Sequence, residues 1–420
     1  MDRLVISLAS LVSLVVLAPP VGCSAEDPER AAFSRSPIVG GEPAGTGPSA
    51  VLQLGVGGVC TGTLVAPNLV LTAKHCVADA YGAGYDCDEN GNVVIDTDAG
   101  VYSPNAGQFG DVHPLDRFTV GRSGTDPLAP RVARVLVAPA GDLCKTDLAF
   151  LVLDRNVDDP VLAPIRIDAS ATVGEHMTAT GWGYTHDKTY ATTLERRSVE
   201  VLAVGPAAAT RADASAPAVE ALPIGFFSVS LGLCYGDSGS PAIAASGAVV
   251  GVASGISAPS LVSATGSAAD CATPDGRGIY RALAADRDFI ASGFVAANAT
   301  PWIEGTPDPR AGLAPFAAAC ARDEDCLSNA CVADDRGASR CSHGCLESKC
   351  PTDYACAAVA GRKRCVALAA PVNDGGVNAA LVASGGCSAG SRAGSHGSAL
   401  LIAVAALAAQ RRARRRGRVA

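Results

Sequence analysis

Short apolar runs separated by Gly, Pro, Asn and Asp fill the chain from residue 38 to about residue 295. The runs that we interpret as strands include residues 51–54, 64–71, 132–137, 148–153 and 249–252. Short strands with regular turn signals between them are typical of an all-β barrel or sandwich. Residues 281–294 have a helical period instead, with Leu283, Phe289 and Ile290 on one apolar stripe. We therefore predict an all-β domain that ends in a helix.

The N-terminal pattern differs from that of the β domain. Arg3 precedes an apolar run at residues 4–18, and prolines and Cys23 follow it. This layout is typical of a secretory signal and too short for a spanning helix, and a buried core helix is the alternative. We predict a signal peptide at 1–22 and a propeptide at 23–37, in which Cys23 is a candidate lipoprotein cysteine.

Beyond residue 295 the composition changes repeatedly. Residues 296–315 are rich in proline and are a predicted linker, and residues 316–368 contain eight cysteines. Residues 369–397 are rich in Gly, Ser and Ala, a composition typical of a mobile linker. Residues 398–420 are an apolar run followed by six arginines. We observe no repeat of 20–50 residues in the sequence.

The sixteen cysteines indicate an oxidising compartment, because even-numbered groups of this kind form disulfides. The dense segment at 316–368 cannot build a hydrophobic core and would depend on cross-links. A disulfide-rich module of unassigned connectivity is the favoured interpretation. A zinc site at Cys341, Cys345 and Cys350, with His343 nearby, is the alternative.

A candidate nucleophile lies in the hexapeptide GDSGSP at residues 236–241. A serine hydroxyl reacts well only when a neighbouring base removes its proton, and the reaction needs N–H donors aimed at the developing oxyanion. Glycines on both sides of Ser238 allow a sharp turn that brings the amides of Gly236 and Ser238 to one point. An ordinary Gly/Ser turn is the alternative.

A candidate base and its partner precede this serine. His75 lies beside Cys76 after an apolar run, and Asp147 lies at the start of another apolar run. A buried Asp there would fix the tautomer of His75 and stabilise its imidazolium. A lone His or Asp is usually a surface or capping residue, but this order with these flanks predicts a catalytic triad of His75, Asp147 and Ser238.

The motifs and their order resemble the trypsin/chymotrypsin family of serine proteases. They are IVGG at 38–41, the block from Cys60 to Cys76, DLA at 147–149, GWG at 181–183, the hexapeptide at 236–241 and CATPDGRGIY at 271–280. The resemblance covers about residues 38–295. It implies a chymotrypsin-like double six-stranded antiparallel β-barrel with a C-terminal helix, and the triad in the cleft between the barrels.

The resemblance also implies the disulfide pairs Cys60–Cys76 and Cys234–Cys271. Two cysteines of the β domain are left over, and we expect a third pair, Cys87–Cys144, which would tether the long insertion before Asp147.

A zymogen switch is a further implication of the resemblance. Cleavage before Ile38 would free an α-ammonium that pairs with Asp237, orders the Gly236 amide and completes the oxyanion hole. Pro37 precedes the cleavage site, where the family usually has Arg or Lys. We therefore expect a route other than tryptic cleavage, for example a cut after Arg35 and removal of the next two residues.

The specificity pocket departs from the family pattern. Counting back from the nucleophile, the pocket base is Gly232, followed by Leu233, so no Asp is present to bind a substrate Arg or Lys. Gly278 should leave one wall open, and the wall near Ser254 and Ile256 lacks the family's Trp. We predict cleavage after small or apolar residues, such as Ala or Val if Ile256 faces the pocket.

A possible cation loop lies at residues 86–92, where Asp86, Asp88 and Asn90 resemble the start of an oxygen-rich Ca²⁺ loop. The position of the closing Glu is occupied by Thr97. A plain hairpin turn at Asn90 and Gly91 is the favoured interpretation. We expect neither a metal nor a cofactor.

The C-terminal segment around Cys387, with its spacer, apolar run and arginines, resembles the tripartite sorting signals of myxobacterial surface proteins. The apolar run is short for a spanning helix, and the arginines would stay cytoplasmic. We expect processing near Cys387 and attachment of the protein at the cell surface. An ordinary tail anchor is the alternative.

The sequence as a whole predicts an extracytoplasmic serine endopeptidase, secreted or surface-anchored, that works through an acyl-enzyme. The formal net charge is −8 although arginines crowd the C-terminus, so the body is acidic and nucleic acid is not an expected partner. Expected partners are protein or peptide substrates and an activating protease, and membrane or cell-surface attachment is expected too. A catalytically silent, protease-like binding or adhesion protein is the alternative function.

Overall fold

The computed structural model describes most of the chain between residues 41 and 368. The described residues are 41–45, 49–80, 85–95, 105–123, 126–127, 130–157, 159–186, 189–207, 221–230, 232–257, 271–273, 275–333, 337–345 and 350–368. The predicted signal peptide, the propeptide, Ile38, Cys387 and the predicted sorting signal lie outside them.

The elements follow one another in chain order. The first half of the β domain contains β1 Glu42–Pro43, β2 Val51–Gly55, β3 Val59–Ala66, β4 Leu69–Thr72, β5 Ala78–Ala80, β6 Tyr85–Cys87, β7 Val93–Ile95, β8 Phe109–Val112, β9 Thr119–Ser123, β10 Asp126–Pro127, β11 Val132–Val137 and β12 Ala149–Leu153. The second half contains β13 His176–Gly181, β14 Tyr184–His186, β15 Thr189–Tyr190, β16 Glu195–Val204, β17 Phe226–Ser230, β18 Pro241–Ala244, β19 Val249–Ser257, β20 Arg277–Ala282 and helix α1 Arg287–Ala297. The cysteine-rich module contains β21 Cys331–Ala333, β22 Ser339–Cys341, β23 Tyr354–Val359 and β24 Arg362–Ala367.

Seven strands of the first half form one antiparallel sheet in the order β10-β9-β2-β3-β4-β12-β11. The candidate strand at 64–71 is divided by a turn at Pro67 and Asn68, so it supplies the end of β3 and then β4. Every residue of β4 and β12 is buried, because the two strands pair in the sheet and pack under α1. The ring of Phe150 in β12 stacks on Phe289 of α1 with centroids 5.4 Å apart. This packing fixes the position of Asp147, two residues before β12.

The second half forms a sheet in the order β1-β16-β13-β18-β19-β20-β17, and β16 also pairs with β17. The additional pairing closes six strands into a barrel, with β1 on the outside of β16. Its core includes Phe227 and Tyr280, whose rings stack with centroids 5.4 Å apart. The predicted fold class is confirmed: the protein is mostly antiparallel β, with one closed six-stranded barrel, one half-barrel and a C-terminal helix.

The helix begins later than the sequence predicts. Arg281 and Ala282 pair with neighbouring strands as the end of β20, and a 3₁₀ turn at Leu283–Asp286 follows. The helix itself ends at Asn298, whose left-handed conformation has φ of 49°. The predicted apolar stripe is retained across this boundary, since Leu283 and Ile290 are buried in the core.

The cysteine-rich module consists of two disulfide-linked hairpins of the same design. The disulfides are Cys320–Cys331 and Cys326–Cys341 in the first unit, and Cys345–Cys356 and Cys350–Cys365 in the second. In both units the linked cysteines are 11 and 15 residues apart. The module is therefore a tandem repeat, which the sequence does not reveal because the intervals between successive cysteines differ and only the separations of the linked pairs agree.

The predicted linker and the module pack against the β domain. Ile303 pairs with Ile165, and Arg166 donates to Glu304 at 3.0 Å. Asp159 accepts a hydrogen bond from the amide of Gly344 at 2.7 Å and thereby holds the module. Within the part of the chain that the structure describes, no helix is long and apolar enough to cross a bilayer.

Candidate active site

His75 lies in a 3₁₀ turn, Lys74–Cys76, that follows β4. A disulfide bond joins Cys76 to Cys60 in the neighbouring strand β3. Thr72 also donates to the carbonyl of Thr61 at 2.8 Å. The turn that carries His75 is therefore held against the sheet at both of its ends.

Asp147 is fully buried and accepts three hydrogen bonds. Its Oδ2 lies 2.7 Å from Nδ1 of His75, and its Oδ1 accepts the backbone amide of His75 at 2.9 Å. Ser254 donates its hydroxyl to Oδ2 at 2.6 Å. With Nδ1 of His75 occupied as a donor, Nε2 is the nitrogen left to act as a base.

The two members of this pair stabilise each other's charged forms. Burial lowers the pKa of His75, but the charge and hydrogen bond of Asp147 outweigh burial and raise that pKa above its usual value. Burial raises the pKa of Asp147, and the charge of His75 with the bonds from His75 and Ser254 brings it below its usual range. Asp147 is therefore an ionised carboxylate suited to hold an imidazolium.

Ser238 is half-buried in the turn between β17 and β18. Its carbonyl accepts the amide of Thr61 at 2.8 Å and lies 3.5 Å from Sγ of Cys76. Gly239 is required next to it, because φ is +83° and a Cβ would lie 2.2 Å from the carbonyl oxygen of Thr61. The Ser238 hydroxyl has no hydrogen bond to a described residue, and such catalytic contacts are often long before substrate binds.

The peptide between Tyr235 and Gly236 has a fixed orientation. The carbonyl of Tyr235 accepts the amide of Tyr184 at 2.8 Å. In a trans peptide the N–H points opposite to the C=O, so the Gly236 amide points away from Tyr184. Neither this amide nor that of Ser238 donates to a described residue. Both N–H groups are therefore free to stabilise an oxyanion.

Asp237 is buried between the segments GWG and Cys234. Its oxygens accept the amides of Gly183 at 2.8 Å and Cys234 at 2.9 Å. A Cβ on Gly181 or Gly183 would collide with its carboxylate, which explains the glycines on both sides of Trp182. Burial raises the pKa of Asp237 to about 8, although the two amides act in the opposite direction. No cation among the described residues faces it.

Three of the predicted specificity residues come together. A Cβ on Gly278 would lie 3.0 Å from the buried side chain of Leu233, and Ile256 is the strand partner of Gly278. The other two face elsewhere: a side chain at Gly232 would meet Val199 in the barrel core, and Ser254 binds Asp147. Leu233, Ile256 and Gly278 form an apolar cluster, in which Leu233 and Gly278 are buried.

A cleft of about 430 Å³ opens beside His75 and Ser254. Its other walls include Asp79, His113 and Leu143, which the sequence analysis did not single out. Their position in the sequence could have indicated a place near the site, because His113 and Leu143 lie within the long insertion before Asp147.

Disulfide bonds join Cys60 to Cys76, Cys87 to Cys144, and Cys234 to Cys271. The second of them links the hairpin β6–β7 to the loop before Asp147. In the turn of that hairpin, Asp88 accepts the amides of Asn90 at 2.9 Å and Asn92 at 2.7 Å. These bonds lower the pKa of Asp88, with the side chain of Asn92 making the largest contribution. The candidate cation loop is thus a hairpin turn whose carboxylate binds amides.

Two similar solved structures are a mutant of human heparin binding protein (CAP37) and neuropsin, a serine protease expressed in the limbic system of mouse brain. The first is 19% identical, with a TM-score of 0.40 and coverage of 64% of this chain and 100% of that one. The second is 18% identical, with a TM-score of 0.38 and coverage of 58% and 93%.

The family model described as Trypsin matches residues 38–274, which is more than half of the chain. The match spans the segments of His75, Asp147 and Ser238. The chain belongs to the trypsin family.

Proposed function

We propose that the protein is a serine endopeptidase with Ser238 as nucleophile, His75 as general base and acid, and Asp147 as the orienting carboxylate. The observation that carries this proposal is the buried Asp147, which accepts hydrogen bonds from the backbone amide and Nδ1 of His75 and from the hydroxyl of Ser254. Ser238 attacks the scissile carbonyl while His75 takes its proton, and the Gly236 and Ser238 amides bind the oxyanion. His75 then protonates the leaving amine, and water hydrolyses the acyl-enzyme.

A fluorophosphonate probe and a diverse peptide library test this proposal. The parent chain, activated to begin at Ile38, should label at Ser238 and cut peptides, and a Ser238→Ala variant should do neither. Folded parent protein that neither labels nor cuts would favour the alternative, a catalytically silent binding or adhesion protein. That alternative rests on two observations: the Ser238 hydroxyl makes no hydrogen bond to a described residue, and Asp237 faces no cation among those residues.

Activation by cleavage before Ile38 is part of the proposal. The new α-ammonium would pair with Asp237, the buried carboxylate that faces no cation among the described residues. N-terminal sequencing of the mature protein should give Ile38 as the first residue, and another start would remove this switch. Activity should fade at alkaline pH as the ammonium, with an ordinary pKa of about 7.7–8.0, loses its proton.

We propose that the residue before the scissile bond is small or apolar. Leu233 closes the space beside Gly278, and Ile256 stands opposite it, so a cationic side chain would find no carboxylate there. Peptides with Ala or Val at this position should be cut faster than peptides with Arg or Phe. Ile256→Gly should raise the relative rate for Phe, and fast cutting after Arg in the parent would contradict the assignment.

The predicted compartment and the termini complete the proposal. Seven disulfide bonds among the described residues support an extracytoplasmic protein. We propose a signal peptide at 1–22, a protease domain at 38–295, a module at 316–368 and surface sorting through 398–420. Cell fractionation of a chain that ends at residue 397 should find it in the medium instead of at the surface.

A further inference from the structure

Lys74 is a buried lysine beside the candidate base. The residue is only 6% exposed, although it directly precedes His75 in the sequence. The ammonium donates to the carbonyl of Ala138 at 3.0 Å and to that of Ala140 at 2.7 Å. It also lies over the ring of Phe109, 4.3 Å from the centroid.

Burying an ammonium is costly unless hydrogen bonds and opposite charges compensate it. Burial lowers the pKa of Lys74, and the carboxylates of Asp147 and Asp142 act in the opposite direction. Asp142 binds Lys145 with Oδ2 at 3.2 Å, but its buried Oδ1 has no hydrogen-bond partner among the described residues. Both carboxylates belong to one loop, residues 138–147, which also supplies the two carbonyls that bind Lys74.

This loop carries Asp147 at its end. The amide of Phe109 binds the carbonyl of Gly141 at 2.9 Å, and Cys144 is tied to Cys87. These contacts join the loop to β8 and β6, whereas Lys74 joins it to the turn of His75. The contact between Asp147 and His75 thus spans two segments that Lys74 holds together.

We propose that Lys74 is a positioning residue of the His75–Asp147 pair, tying the loop that ends in Asp147 to the turn that carries His75. The proposal rests on the proposed serine-protease function only in its expected effect on the catalytic rate. Its effect on His75 is present in the uncleaved chain, because the His75–Asp147 hydrogen bond exists there. A test that reads His75 directly therefore separates the two proposals.

The alternative roles of Lys74 make opposite predictions for the pKa of His75. If Lys74 acted only as a nearby positive charge, its removal would raise that pKa. If Lys74 positions Asp147, its removal loosens the carboxylate that holds the imidazolium, and the pKa falls. The other groups near His75 are Asp147 itself and, across the cleft, Asp79 and His113, and they are unchanged in the variants.

The experiment titrates His75 by NMR in the full chain with ¹³C-labelled histidine. Six histidines are present, and the spectrum of His75→Gln assigns the resonance. The variants are Lys74→Met, Lys74→Arg as the conservative replacement, and Lys145→Met as the matched control. Lys145 lies on the same loop and pairs with Asp142, but its side chain is 53% exposed. If Lys74→Met does not fold, Lys74→Gln takes its place.

We expect the proton affinity of His75 to fall about tenfold in Lys74→Met and to stay at the parent value in Lys74→Arg and Lys145→Met. A rise, or no change, in Lys74→Met overturns the proposal. In the activated chain, rates normalised to probe-reactive sites should show kcat lowered about tenfold or more, with KM within about twofold. A parent that cuts no peptide would refute the proposed function and leave the titration result standing.

Discussion

Asp147 and Asp237 are both fully buried, and each lies three residues after a disulfide-bonded cysteine. Their pKa values nevertheless move in opposite directions. Asp147 faces His75 and accepts three hydrogen bonds, so its pKa lies below the usual range. Asp237 accepts two amides and faces no cation among the described residues, so burial raises its pKa to about 8. Burial alone therefore does not set the charge of a carboxylate, and the presence of a cation does.

This difference assigns the two carboxylates to two different roles. Asp147 has its partner within the folded chain and is ready to orient a base. The two amides compensate the negative charge of Asp237 only in part, and the proposed ammonium of Ile38 would supply the missing positive charge. Each of the following variants changes one of the two carboxylates or a residue that binds it.

The largest effect is expected for Asp147→Asn in the activated chain. The amide would keep the shape but favour the wrong tautomer of His75, and kcat should fall about 10⁴-fold. Steady-state hydrolysis of a peptide substrate measures it. Asp168→Asn, at an exposed carboxylate paired with Arg287, is the matched control and should keep the parent rate. A loss below tenfold in Asp147→Asn would contradict the role assigned to Asp147.

The second prediction concerns the stability of the uncleaved chain. Asp237 has a pKa of about 8 when folded and 3.8 as a model value. Between these values the folded state holds more protons than the unfolded state, so the free energy of unfolding falls as pH rises from 4 to 8. The loss approaches about 5 kcal/mol, at 1.36 kcal/mol for each pH unit.

Urea unfolding of the Ser238→Ala precursor at pH 4, 6 and 8 measures this loss, with and without Asp237→Asn. The stability gained by Asp237→Asn should grow with pH and level off above pH 8, while other titrating groups cancel in the difference. A difference that stays constant with pH would show that the carboxylate is already compensated in the precursor.

Asp237→Asn in the activated chain gives the third prediction. Without the carboxylate, the ammonium of Ile38 has no partner, and the Gly236 amide loses its support. Removing one oxyanion donor typically costs a factor of about 10² to 10³ in kcat, and we expect a loss of that size. Labelling by the fluorophosphonate probe should slow in parallel. Full activity of this variant would break the link between Asp237 and the oxyanion hole.

The smallest effect is expected for Ser254→Ala. It removes one of three hydrogen bonds to Asp147, and a bond to a charged group is worth about 1.5–3 kcal/mol. Because the bonds from His75 remain, we expect kcat to fall about tenfold, with the pKa of Asp147 moving upward. Ser246→Ala, at an exposed serine that binds Glu304, is the control. An unchanged pH profile and rate would mean that Ser254 does not support the carboxylate.

The sequence predicted the fold class because the strands of this domain are short and separated by turn residues. It also singled out His75 and Asp147, which hydrogen-bond to each other in the structure, because both lie in motifs with distinctive flanks. The sequence did not reveal that Lys74 is buried and binds two backbone carbonyls, because a lysine beside a histidine does not indicate which carbonyls it will contact. The repeat in the module was missed because disulfide connectivity is set by the fold, and spacing alone leaves many pairings open.

The most direct test of activation through Ile38 and Asp237 compares fluorophosphonate labelling of Ser238 in two otherwise identical chains. One begins at Ile38, and the other keeps Ser36 and Pro37 before it, so that only the free α-ammonium differs. We expect the chain beginning at Ile38 to label at least about 10²-fold faster, because only its α-ammonium compensates Asp237 and completes the oxyanion hole. Equal labelling rates in the two chains would contradict this expectation.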